Sequence, residues 1–282
     1  MCKKLQPDEK FYTGALKPVK INTRQIALMA IFAALYTVLR LTQTIPMIGV
    51  QGGRFSLGDI VAPLYGILLG PYLGGFSVIL GTFLAIALGR PVTFLFLDFL
   101  PATINAIALG FLIRRKWLPV VFLNAALLLV FLLNPLTSFF IEIPIGGTTI
   151  QFPFAWMHIA AFIVLLSPLG RKAGQWVESL KTKSAVAGLA ILAFIGTMMQ
   201  HLTGNILYEV VLNQFYVVLG QPPIIPASAY PVNWAVVFFV YPWERLILIV
   251  FTVLVGLPLI RVLRKSVLRT SDTQTSNVPS AA

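Results

Sequence analysis

The sequence predicts an all-α fold, a polytopic membrane helix bundle of about eight transmembrane helices with both termini cytoplasmic, on three observations. Of 282 residues, 58% are hydrophobic and only 11% are charged, which is more apolar surface than a soluble domain of this size can hide. Apolar runs of about 18–25 residues recur along the chain, each long enough to cross a hydrocarbon core of about 30 Å as a helix. Lys and Arg gather in alternate loops, the pattern that marks the cytoplasmic side of a multi-pass protein in the plasma membrane.

The runs place spans near residues 24–41, 57–70, 72–89, 92–113, 117–134, 152–168, 184–208 and 233–261. These make up a transmembrane helical domain at 24–264, preceded by a basic cytoplasmic segment at 1–23 and followed by a Ser/Thr-rich cytoplasmic tail at 265–282, expected to be disordered. The first run lacks a small-residue cleavage pattern and seven more follow it, so it reads as a retained span rather than a signal peptide. Basic residues cluster in the head (Lys3, Lys4, Lys10, Lys17, Lys20, Arg24), at Arg114, Arg115 and Lys116, at Arg171, Lys172, Lys181 and Lys183, and in the C-terminal flank (Arg261, Arg264, Lys265, Arg269). Only Arg40, Arg54, Arg90 and Arg245 remain for the outer side. The second span is short, about 21 Å for Leu57 to Gly70, and Pro71 with its flanking glycines marks a tight turn after it. The eighth, from Val232 to Ile260, would run about 43 Å; it either tilts or is divided at Pro242. The two halves show no internal repeat of the inverted-repeat carrier kind.

Composition also excludes function classes. The net charge of +12 lies between the spans rather than on a nucleic-acid-binding face, so no nucleic-acid partner is expected. Cys2 is the only cysteine, which rules out an intrachain disulfide and a thiolate metal cluster. A GxxxxGK[ST] phosphate loop is absent, so any ATP the protein depends on is bound elsewhere, and no cofactor is expected. HExxH is absent, Ser56-Leu57-Gly58-Asp59 lacks the first glycine of a GxGD protease motif, and Cys2 sits in the basic head; the chain is read as a non-enzyme.

Charged groups cost about 2.5–3.5 kcal/mol at mid-membrane, so polar residues inside spans need a partner or a cavity. His201, Asn205, Glu209 and Asn213 recur every fourth residue and share one helical face. They either line a pocket or mark a helix emerging into water. Asp98 and Asn105, seven apart, share a face of the fourth span; Asp98 faces a substrate or pairs with an outer arginine. Glu244 and Arg245 point about 100° apart and each is expected to need another partner. His158 is a ligand group or a helix contact, and Trp156, Trp234, Tyr241 and Trp243 stack on a substrate or anchor the membrane interface. The polar, glycine-rich loop from Thr42 to Ser56, with Arg54, reads as a lid over an outer cavity or as a plain connector.

The first three spans resemble the substrate-binding (S) component of energy-coupling-factor (ECF) transporters. The resemblance is carried by Ala27-Leu28-Met29-Ala30-Ile31-Phe32-Ala33-Ala34, Phe55-Ser56-Leu57-Gly58-Asp59 and Leu68-Leu69-Gly70-Pro71-Tyr72-Leu73-Gly74-Gly75, and covers about residues 24–113. It implies that Ala30 and Ala34 form a small-residue face that docks on a transmembrane coupling subunit. It also implies that the following loop gates an extracellular pocket for a vitamin-like solute, and that separate ATPase subunits drive release. The N-terminal histidine segment of the metal-transporting branch is missing, so the substrate is expected to be organic and no metal is expected. The outer arginines, set against Asp59, Asp98, Glu142, Glu209 and Glu244, point to a carboxylate-bearing or zwitterionic solute. An ion-coupled secondary transporter, with Asp98 or Glu209 as relay, is the alternative, and an intramembrane enzyme the third.

Overall fold

The computed structural model describes residues 23–51, 53–179 and 181–266, the last four of these by backbone alone. The basic head up to residue 22 and the tail beyond 266 lie outside the described residues. The chain is helical throughout, with two small antiparallel hairpins: α1 (Thr23–Leu41), β1 (Gln43–Pro46), β2 (Arg54–Ser56), α2 (Gly58–Leu69), α3 (Pro71–Ala87), α4 (Leu100–Ile113), α5 (Trp117–Leu132), β3 (Phe140–Ile145), β4 (Thr148–Pro153), α6 (Trp156–Leu166), α7 (Pro168–Glu178), α8 (Thr182–Glu209), α9 (Phe215–Val218) and α10 (Tyr230–Ser266).

The expected count of about eight transmembrane helices is corrected to three. Among the described residues, only Thr23–Leu41, Thr182–Val218 and Ala227–Val262 are helices long and apolar enough to cross a membrane. The other apolar runs form helices of at most 17 residues. The reason lies in backbone breaks that hydropathy does not register. Gly70, at φ +83°, ends α2 after 12 residues, and Pro71 starts α3 at once. Residues 90–96 are non-helical, so the run at 92–113 begins α4 only at Leu100, after a short 3₁₀ turn at Leu97–Phe99. The sixth run gives its first residues to the β3–β4 hairpin, where Phe140 pairs with Pro153 and Ile145 with Thr148. Conversely, α10 runs unbroken through Pro242 and Pro258, so Pro242 does not divide it.

The central post is α8, which contacts α4, α7, α10, α5 and α6. Leu189, Leu192, Ile195, Met198, Met199 and Leu202 are enclosed along it. Small residues let the N-terminal helices approach closely: a Cβ on Gly66 of α2 would lie 1.9 Å from the Ala106 carbonyl oxygen of α4. α1 packs parallel to α3, with Ser77 donating to the Met29 carbonyl and Thr37 to that of Gly81. Outward-facing Ile31, Leu35 and Val38 of α1 and Phe251, Leu254 and Val255 of α10 stay exposed, as side chains meeting lipid do.

Basic residues of the 114–116 and 171–183 loops and of the C-terminal flank gather at one end. Arg115 pairs with Glu178 at 3.1 Å, Arg171 lies 4.3 Å over the Trp117 ring, and Arg261 donates to Thr182 at 2.8 Å. Arg40, Arg54, Arg90 and Arg245 gather elsewhere.

Candidate functional site

A cavity of about 330 Å³ opens where the C-terminal end of α1, the β1–β2 hairpin, the 90–96 loop, α8 and α10 meet. Arg40, Arg54, Arg90 and Arg245 all line it, together with Asp59, Asp98 and Glu244. Phe55, Phe94, Tyr208, Trp234 and Tyr241 supply aromatic wall. A mostly apolar chamber of this volume with a few convergent polar groups is the ordinary form of a small-molecule site.

Local backbone explains how each group arrives. Leu95 and Phe96 are both left-handed, at φ 48° and 68°, a reversal bulky residues rarely make unless held. Asp98 holds it by accepting from the Thr93 and Phe94 amides, each at 3.0 Å. The Asp98 carbonyl in turn receives Arg40 Nη2 at 3.0 Å. Arg90 donates to the carbonyls of Arg40 and, at 2.7 Å, Arg54, stitching three elements together. Burial, reinforced by the neighbouring Arg40 charge, pulls the Arg90 guanidinium below its ordinary pKa.

The 42–56 loop is the β1–β2 hairpin, with Gln43 opposite Ser56 and Pro46 opposite Arg54. Ile45 to Ile48, Arg54 and Phe55 place it against the cavity. Its turn reaches across to the far wall: Gly49, at φ +72°, sits so close that a Cβ there would lie 2.5 Å from Asn233 Nδ2 and 2.6 Å from the Tyr208 hydroxyl. Those two side chains are themselves joined at 2.7 Å, linking α10 to α8 under the hairpin.

Of the residues singled out from sequence, Arg54, Asp98, His201, Asn205 and Arg245 line the cavity, while Asn105, Trp156, His158 and Glu209 do not. The four-residue stripe on α8 divides because four residues turn about 400°, so each step drifts by about 40°. His201 and Asn205 face the cavity. Glu209 has rotated to accept from Thr137 at 2.7 Å, and Asn213 donates to the Ile225 carbonyl at 2.7 Å. His158 bonds His201 at 3.1 Å and stacks in one layer with His201 and Tyr241. Trp156 is half-exposed and meets Phe152 edge-on. The expectation that Glu244 and Arg245 could not satisfy one another is wrong: their long side chains swing together into an ion pair at 2.8 Å.

Sequence reasoning missed Gln200. It joins Asn105 (Nδ2 to Oε1, 2.7 Å) to Asp59 (Nε2 to Oδ1, 2.7 Å), and Asp59 also accepts from the Ser56 amide at 2.9 Å. A polar residue beside His201 in an apolar helix was the available signal, hidden because it falls off the four-residue stripe. Among the described residues no three His, Cys, Asp or Glu side chains gather as a metal site would require.

Residues 20–141 match the family described as the S component of the ECF-type riboflavin transporter. No curated protein and no solved structure matches the chain. The match spans α1 to α5, hence the hairpin and the arginines at 40, 54 and 90, whereas the α8 and α10 walls of the cavity lie beyond it. ECF transporters generally combine such a component with a transmembrane coupling subunit and ATPase subunits. Over residues 20–141, then, this multi-pass membrane chain is similar to the S components of ECF-type transporters, a family of transport proteins.

Proposed function

We propose that the cavity under the β1–β2 hairpin is the capture site, that it opens to the outside of the plasma membrane, and that a coupling subunit docks on the exposed α1 face around Ala30 and Ala34. The observation that carries this reading is the sorting of charge. The basic loop residues meet at one end of the bundle and the four remaining arginines converge on the cavity. By the positive-inside rule the loop end is cytoplasmic. α1 runs from Thr23 towards Arg40 at the cavity, and α10 runs from Arg245 at the cavity to Arg261 at the basic end, so both chain flanks leave on the cytoplasmic side.

The description of the matched family names riboflavin, and the aromatic wall suits a flat ring system of that kind. Ala27, Ala30 and Ala34 are exposed on α1, a small-residue surface that permits close helix approach. In this reading the solute is held without ATP, and the partner ATPases supply the energy for release.

Gly204 offers the direct test. It lines the cavity, and a Cβ there has nothing within 4 Å, so Gly204→Trp fills the chamber without pressing on backbone. Solutes retained by the purified wild-type protein, read by mass spectrometry after denaturation, should be lost from the variant while its thermal unfolding is unchanged. Retention of the same solute by Gly204→Trp would place the capture site elsewhere.

A further inference from the structure

The four arginines of the cavity come from four separate elements, the end of α1, β2, the 90–96 loop and α10. Of these four, only Arg245 has a carboxylate partner among the described residues, Glu244. The other two acids are engaged by neutral donors. Asp98 is taken by the Thr93 and Phe94 amides, and Asp59 by Ser56 and by Gln200. Arg40 and Arg90 spend their own hydrogen bonds on backbone carbonyls, which carry no compensating charge. Arg40 is 7% exposed and Arg245 2% exposed, and the Nε of each is buried without a partner. A buried guanidinium left this way is costly unless a counter-charge arrives, and its planar fork matches a carboxylate or phosphate two bonds at a time.

We infer that the solute taken into this cavity carries an anionic group, a carboxylate or a phosphate, received by Arg40, Arg54 and Arg90, with its ring against the aromatic wall. The inference rests on the cavity being the capture site and goes beyond it in naming the ligand's charge. It goes beyond the neutral vitamin named by the matched family: the lining holds four arginines against three carboxylates, one more cation than anion.

The experiment is competitive. Purified full-length protein is equilibrated with an equimolar mixture of riboflavin, pyridoxine, thiamine, riboflavin 5′-phosphate, folate and pantothenate, desalted, denatured, and the released solute identified by mass spectrometry. The expected result is a single anionic solute, bound at least about tenfold more weakly by Arg54→Gln, with Arg54→Lys recovering part of the loss. Arg54 has an exposed side chain, so its replacement leaves the fold in place; Arg40→Gln repeats the test at the buried position. Whether the retained solute bears carboxylate or phosphate reads out which anion the cluster receives. Release of riboflavin, pyridoxine or thiamine instead, with no change in Arg54→Gln, overturns the anion assignment and leaves the capture site standing. Release of nothing overturns both.

Discussion

Gln200→Leu tests the polar relay that ties α2, α4 and α8 together beside the cavity. Gln200 is 5% exposed and Asn105 is fully buried. The substitution removes two 2.7 Å hydrogen bonds, one to the Asp59 carboxylate and one from the Asn105 amide. A bond to a charged group contributes about 1.5–3 kcal/mol and a neutral one about 1 kcal/mol. Asn105 Oδ1 already lacks a partner, so after the change its whole amide is stranded. The expected loss is about 2.5–4 kcal/mol in equilibrium unfolding of the detergent-solubilised protein. Asn105→Leu alone should cost about 1–2 kcal/mol. The double variant removes the stranded amide as well as its partner, so it should be less destabilised than the two singles added, by about 1 kcal/mol. Strict additivity, or a Gln200→Leu protein as stable as wild type, would refute the relay.

Gly66→Ala should destabilise by about 3 kcal/mol or prevent folding, because its Cβ would meet the Ala106 carbonyl oxygen at 1.9 Å; wild-type thermal unfolding of the variant would show that α2 and α4 are not in such contact. Ala30→Trp with Ala34→Trp, both on an exposed face, should abolish co-purification with the coupling subunit while leaving solute retention and thermal stability unchanged. Loss of solute with the subunit still bound would remove this face from the docking surface.

The sequence by itself determined the class of the protein, its relation to lipid and much of its helical order. Composition alone demanded a membrane, and the breaks at Gly70-Pro71 and the small residues of α2 and α3 already marked where helices turn and pack. The Lys and Arg pattern set Arg40, Arg54, Arg90 and Arg245 apart from the rest, because loops on the two sides of a membrane differ in their share of basic residues. Length was where hydropathy misled. A run of apolar residues looks the same whether its backbone is a spanning helix, a shorter helix with a left-handed turn at Leu95 and Phe96, or a hairpin such as β3–β4. Only the tertiary structure decided which polar groups meet. Arg40, Arg54, Arg90 and Arg245 are separated by up to 205 positions yet line one cavity. Gln200 gains its role from Asp59 and Asn105, residues 141 and 95 positions away. Contacts of that range are set by how whole helices pack, and no local period records them.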